Sequence, residues 1–244
     1  HAGRAGLTGG IFMDATKVPM EILQKQIPHV YKTCLHRGID ITKTPLEVAP
    51  GSHTWLGGLD VDTYGQSSIP GLFAAGETAG GIHGGNRIGG SALAASLAFG
   101  RRAGRKAAEL IGSEPVSIPA LGDNVIPEAE RDWLSGLLER ADGPYQGDVR
   151  MHCRMLAHEK LGPIRDENNL REALEEYERI ENEDLQTMSL SEEARDTGKG
   201  RGEEIESALS IRNLALLGRI LATAALERNE SRGAHYRLDH PDTN

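Results

Sequence analysis

The chain has 244 residues, 38% of them hydrophobic, with 27 Lys+Arg against 36 Asp+Glu for a formal charge of −9. That length covers one large domain or two small ones, and that apolar share supports a packed core rather than a disordered chain. No basic stretch dominates, which argues against a nucleic-acid partner; no run approaches the roughly 18 uninterrupted apolar residues of a membrane span. The opening HAGRAGLTGG has no signal-peptide apolar stretch. The two cysteines, Cys34 and Cys153, form no metal or redox motif, which fits a reducing compartment. Charge is unevenly placed: residues 1–112 carry 11 basic and 8 acidic side chains, net +3, and residues 113–244 carry 16 and 28, net −12.

In chain order, residues 9–14 (GGIFMD) read as a short buried strand entering a turn. Residues 18–37 have helical apolar spacing, divided or kinked by Pro28 and stopped by Gly38. TWLGGLDVD, 54–62, reads as a strand leading to a turn at Tyr64–Gly65, and SIPGLFAAGE, 68–77, as a strand buried on both faces, because its apolar run does not alternate. Glycines then crowd at 76, 80, 81, 84, 85, 89 and 90, before a helix from Ser91 to Ile111 whose Leu93, Leu97, Gly100 and Gly104 invite close packing. A Pro/Gly/Ser linker follows. Helices are expected over 127–141, with Pro127 in the first turn, and over 147–161, 166–189 and 203–228; 194–203 is expected to be a mobile loop. The last helix is apolar over more than half its circumference, which predicts a central place in a bundle.

A strand, a glycine-rich loop and a helix start together make a place for an anionic or electron-rich ligand, since the backbone can approach closely and free N–H groups supply donors. The loop has neither GxxxxGK[ST] nor a GxGxxG dinucleotide fingerprint, so the pattern alone is equally a tight structural connection.

The residues themselves are more specific. GGLDVDTYGQSSIPGLFAAGETAGGIHGGNRIGGSALAASLAFGRRAG, 57–104, resembles the flavoprotein subunit of succinate dehydrogenase and fumarate reductase, whose IPGLFA-x-GE segment precedes an HGANRLGGNSL loop. MHCRMLAHEKLGPIRDENNLREAL, 151–174, is similar to that family's helical domain, and ALERNESRGAHYRLDHP, 225–241, to its ESRGAH-[YF]-R-x-D-[YH]-P motif. The resemblance implies an α/β flavin-binding portion followed by an all-α helical bundle: residues 1–112 as the C-terminal part of the FAD-binding domain with the return from a capping domain, 113–126 as linker and 127–244 as helical domain. It covers nearly all of this chain but only part of the family's. The chain is therefore expected to be a fragment or a split subunit, inactive alone, without the dinucleotide fold and the proton-transferring arginine.

The resemblance assigns FAD contact to Glu77, whose carboxylate suits ribose or ribityl hydroxyls, to His83, and to Ala92 and Leu93, whose backbone N–H groups would face the flavin ring. The family's usual residues at 91 and 92 are Asn and Ser, where this chain has Ser and Ala; a backbone donor needs no particular side chain. Arg87 is implied to grip one carboxylate of a C4 dicarboxylate, a bidentate task lysine cannot copy, with His53 and Thr54 as further substrate contacts. For Glu77 the bland alternative is a cap or ion pair, for His53 and His83 a satisfied structural histidine, and for Arg87 an exposed charge. His152 and His158 are about 240° apart around a helix, so with Cys153 they do not read as a metal site. Arg232 and His235 are expected to pack the helical domain near the flavin domain.

The implied activity is interconversion of succinate and fumarate, in electron transport and the tricarboxylic acid cycle. The implied partners are the missing N-terminal half and an iron–sulfur subunit. The expected location is the cytoplasm, peripheral at the inner face of the cytoplasmic membrane through partner subunits. Two rivals stand beside it: an L-aspartate oxidase-like flavoenzyme, and a noncatalytic module whose acidic helical half binds an electron-transfer partner.

Overall fold

The structure is a computed structural model that describes residues 10–49, 51, 53–113 and 126–243; most of the expected linker lies outside these residues. The chain divides into two compact units, residues 1–53 and 54–244.

In the first unit, β1 (Ile11–Met13) pairs antiparallel with β2 (Leu46–Val48), Phe12 opposite Glu47. Between them lie α1 (Met20–Gln26) and α2 (Pro28–His36). Pro28 lacks the N–H that a continuous helix would need, so it starts α2 instead, where that N–H would be an orphan anyway. Gly38, at φ +77°, turns the chain out of α2. Ala15, Leu23, Cys34 and Ile41 form this unit's core.

The second unit begins with a glycine-rich stretch that is less sheet-like than its sequence suggests. Residues 54–62 make only the isolated bridges Leu59–Ala79 (parallel) and Val61–Ser67. The expected strand over 68–77 is not formed: Phe73 bridges Gln66, Leu72 is 37% exposed, and Gly76–Thr78 is a 3₁₀ turn. No parallel neighbour lies beside this segment among the described residues to take its backbone hydrogen bonds, so no strand forms. A close crossing of residues 58–59 and 78–80 runs on backbone. Leu59 N donates to Thr78 O and Gly80 N to Leu59 O, at 2.9 Å each. Gly58 stands at φ +145°, and a Cβ on it would overlap Thr78 O.

α3 (Ser91–Ser113) packs against the 3₁₀ turn, where Gly76 leaves room for Ser96. Gly100 and Gly104 do not receive the close neighbour that their spacing predicts: a Cβ on either would meet nothing within 4 Å.

The helical part comprises α4 (Glu128–Glu139), α5 (Gln146–Lys160), α6 (Glu167–Arg179), α7 (Leu185–Thr187) and α8 (Arg201–Glu227), with a two-residue parallel pair of β3 (Ile164–Arg165) and β4 (Tyr236–Arg237). Pro127 sits at the N-cap of α4, one place before the expected first turn. Asp166 caps α6 by accepting from Asn169 N at 2.9 Å. A π-helical turn, Ile180–Asp184, joins α6 to α7.

α8 lies against α5 and α6 and buries one stripe of mostly small residues: Ala208, Ile211, Ala215, Gly218, Ala222 and Ala225. Tyr177 explains the stripe. Its ring lies on Gly218, where any Cβ would overlap it, and its hydroxyl donates to Cys153 O at 3.0 Å. Small residues let the backbones approach, and the larger Leu209, Leu216, Leu217 and Ile220 of α8 stay more than 40% exposed. So α8 is packed on one side rather than surrounded, a correction to the central position that its composition predicts. By length and composition alone α8 could cross a bilayer, but its small-residue stripe is the seam of the helical core.

The segment 194–203 is not a free loop. Ala194 is fully buried in a π-helical turn, Arg201 donates from Nε to Ala194 O (2.8 Å) and from Nη2 to Arg195 O (2.6 Å), and Gly198 and Gly200 take the left-handed conformation that the charged composition concealed.

Candidate functional site

The glycine-rich loop 81–90 runs from the 3₁₀ turn into the start of α3. Gly81, Gly84 and Gly90 have φ of +79°, +61° and +85°, and space opens beside each of them and beside Gly89. Ser91 Oγ donates to Ile88 O at 2.7 Å and its N–H to the same oxygen at 3.2 Å, closing the turn that launches the helix. Ala92 and Leu93 follow in the first turn, where N–H groups have no intrahelical acceptor. No acidic residue occupies that turn to offset its partial positive charge. Beside these donors Ile88, Leu93 and Leu97 are 80%, 70% and 67% exposed. Open backbone and free donors together suit a large, flat, partly anionic group.

Arg87 is half-buried in this loop. Its Nη2 donates to Thr54 Oγ1 at 3.2 Å and its Nη1 to Ile88 O at 3.4 Å, both long for a guanidinium, and its Nε is buried without a hydrogen-bond partner. A buried donor left unpaired costs about 1–3 kcal/mol. Thr54 thus meets Arg87, the two residues to which the resemblance gives substrate contacts. His53 is exposed at the end of the first unit.

Glu77 lies in the 3₁₀ turn rather than at a strand end, and it is exposed. Its Oε1 accepts from Trp55 N at 2.8 Å, which leaves Oε2 available to a ligand hydroxyl. Trp55 therefore orients Glu77 through its backbone, a part that its residue type gave no reason to expect. His83 is half-buried, with no hydrogen bond to its ring among the described residues. Two open clefts, of about 520 and 630 Å³, are lined by none of the expected site residues.

The ESRGAH segment touches the loop directly. Ala234 N donates to Gly85 O at 3.0 Å, and Gly233, at φ +62°, is pressed so close to Gly85 that a Cβ would overlap its carbonyl. His235 is buried. Arginine can only donate, so Arg165 Nη1 donates to its Nδ1 (2.8 Å), which leaves Nε2–H to donate to Arg228 O (3.1 Å). Burial first, then the cations of Arg165, Arg228 and Arg237, push its pKa below the usual histidine range, against the opposing pull of the Arg228 carbonyl. Arg237, 1% exposed, forms a two-pronged pair with Asp239 (2.8 and 2.6 Å) and donates from Nη1 to Ala225 O at 2.8 Å, closing the C-terminal end of α8. That hydrogen-bonded pairing holds the Asp239 carboxyl well below the usual carboxylate range. Cys153 is fully buried and its thiol is pushed up to about 11, by burial and then by Asp184. His152 instead faces Glu176, Nε2 to Oε1 3.3 Å.

Comparison with known proteins matches residues 1–93 to the FAD binding domain family and residues 150–244 to the family described as the fumarate reductase flavoprotein C-terminus. One of the subunits of the CoM/CoB fumarate reductase of Methanothermobacter marburgensis is 31% identical over 242 residues, covering 99% of this chain and 42% of its own. Mycobacterium smegmatis Sdh1, solved in complex with UQ1, superposes with a TM-score of 0.85 at 32% identity, covering 100% of this chain and 40% of that one.

The chain belongs to the succinate dehydrogenase/fumarate reductase flavoprotein family.

FAD is the cofactor of this family member. The L-aspartate oxidase of Caulobacter vibrioides is also similar, 34% identical over 246 residues, covering 100% of this chain and 39% of its own. The chain spans about two fifths of the length of the relatives it matches. A flavin-binding portion followed by a helical domain is the order that both the matches and the elements give.

Proposed function

We propose that this chain carries the dicarboxylate grip and part of the flavin cradle of an enzyme that interconverts succinate and fumarate. The observation that carries the reading is Arg87: a half-buried guanidinium, meeting Thr54, on a glycine loop that opens into the start of α3. Arg87 takes one carboxylate of the substrate, and Thr54, already 3.2 Å from its Nη2, shares that end. His53 contacts the substrate as well. The N–H groups of Ala92 and Leu93 donate to the flavin ring, with His83 beside it. Glu77 offers Oε2 to the ribose or ribityl hydroxyls. When bound, FAD supplies hydride exchange with a substrate carbon. This chain's residues bind and orient the diacid, fixing its geometry close to attack. The proton-transferring arginine is assigned outside the 244 residues, so this polypeptide alone turns nothing over.

On this reading residues 1–112 serve the flavin, 113–126 connect, and 127–244 form the helical domain. The open face of α3, with Leu93, Leu97, Gly100 and Gly104, receives the remainder of the flavin-binding fold. Electrons pass to an iron–sulfur partner, which keeps the assembly peripheral at the cytoplasmic face of the membrane and links it to electron transport and the tricarboxylic acid cycle. A second reading, L-aspartate oxidation, is favoured by the identity to the Caulobacter enzyme; both substrates are C4 dicarboxylates, which Arg87 would grip alike. The test is turnover by the complete flavin-loaded enzyme, with succinate and a dye acceptor, fumarate and a reduced dye, or L-aspartate and oxygen. Succinate or fumarate turnover is expected. Aspartate oxidation alone would transfer the assignment to the second reading, and no dicarboxylate turnover would overturn both.

A further inference from the structure

We infer that the tight turn Arg232–His235 is a positioning device for the loop that carries Arg87, with His235 as its anchor. The inference rests on the assignment of Arg87 to the substrate.

Loop 81–90 has little to hold its shape, since most of its glycines stand beside open space. Its backbone meets a segment distant in sequence at Gly85, whose O accepts from Ala234 N at 3.0 Å. Gly85 is two residues before Arg87, so a shift there is passed along the backbone to the guanidinium. The turn is built to press on this point. Arg232 and His235 exchange backbone hydrogen bonds, N to O, of 2.8 and 3.1 Å, and this brings Gly233 against the Gly85 carbonyl. Gly233 is the residue that permits the contact, through both its φ of +62° and its missing Cβ. The stem of Arg232 lies on the same glycine, with Cγ 3.0 Å from where a Gly85 Cβ would stand.

The other side of the turn is tied to the helical core by the β3–β4 pair that follows it, by Arg237 on Ala225 O and, within the turn itself, by the His235 ring. His235 accepts from Arg165 at Nδ1 and donates to the Arg228 carbonyl from Nε2. Arg165 is itself fixed to the end of α5, with Nε donating to Gly162 O at 2.8 Å and Nη2 to Leu161 O at 3.2 Å. A continuous set of hydrogen bonds thus runs from the end of α5 through Arg165 and His235 to the turn, and from the turn to Gly85. The ESRGAH residues do not need to touch substrate to govern how firmly it is held. They are positioning residues.

Three variants of the flavin-loaded enzyme test this. His235→Leu removes both ring hydrogen bonds. His235→Asn keeps an acceptor for Arg165. Gly233→Ala pushes directly on Gly85. Succinate affinity is read by titrating the flavin spectrum, and loop order by amide hydrogen exchange over residues 83–87. His235→Leu and Gly233→Ala should each raise the succinate Kd and KM about tenfold, with kcat changed less than about twofold and flavin content normal. Exchange over 83–87 should quicken about tenfold. His235→Asn should restore most of both. Unchanged exchange and affinity in the variants that fold would overturn the inference, as would an affinity loss tracking flavin loss or global unfolding. If the unmutated enzyme binds no succinate, the role given to Arg87 fails. The exchange arm then still decides whether the turn holds the loop.

Discussion

Replacing Arg87 with lysine tests the proposed grip at the atom that carries it. Arginine offers five N–H donors in a planar fork, whereas lysine offers one compact ammonium. In the structure Nη2 is engaged by Thr54 at 3.2 Å and Nη1 by Ile88 O at 3.4 Å, and Nε is buried without a partner. Lysine keeps the charge but cannot present two parallel donors to a carboxylate, so one charge-assisted hydrogen bond is lost. Such a bond is worth about 1.5–3 kcal/mol, and about 1.4 kcal/mol is tenfold in affinity. The succinate Kd should therefore rise roughly 10- to 150-fold. Flavin content should stay near normal, because the donors assigned to the ring are backbone groups of Ala92 and Leu93. The assay is titration of the flavin absorbance of the complete enzyme, followed by steady-state kinetics. An unchanged Kd would refute the grip, and loss of flavin with the lysine would mean that Arg87 serves the cofactor or the fold.

The helical core gives two further predictions. Gly218→Ala places a methyl group where Tyr177 lies, so it should lower unfolding free energy by about 1–3 kcal/mol, measured by denaturant titration; alanine tolerated at no cost would mean that the ring does not rest on α8. Asp239→Asn leaves the buried Arg237 without its counter-charge and should cost about 3–5 kcal/mol near neutral pH. Because the folded carboxyl is held below its unfolded value, its contribution is present above about pH 4 and is lost as pH falls further. The gap between variant and parent in thermal or denaturant unfolding should close in acid, and a gap that widened there would contradict the assignment.

The helices are legible where their pattern is local. Pro28 divides α1 from α2, and the apolar spacing marks α5, α6 and α8 to within a residue or two at their starts. The strand expected over 68–77 misleads, because an apolar run cannot state whether a neighbouring strand is there to pair with it; only Phe73 finds a bridge. α8 misleads for a related reason. Its leucines dominate the composition, but the seam is set by Gly218 and four alanines that admit Tyr177 and the facing backbones. The candidate site is legible through motif residues such as Arg87 and Glu77, to each of which the resemblance gives a side-chain role. Trp55 and Gly85 act through the backbone, and Gly233 through the absence of a side chain, so nothing in their residue types announces them.

The decisive measurement is an experimental structure of the complete enzyme with FAD and a nonreactive diacid bound. The account predicts the isoalloxazine edge within hydrogen-bonding distance of the Ala92 and Leu93 amides, and one diacid carboxylate on the Arg87 guanidinium with Thr54 alongside. A ring seated elsewhere, or an Arg87 turned away from the diacid, would contradict it.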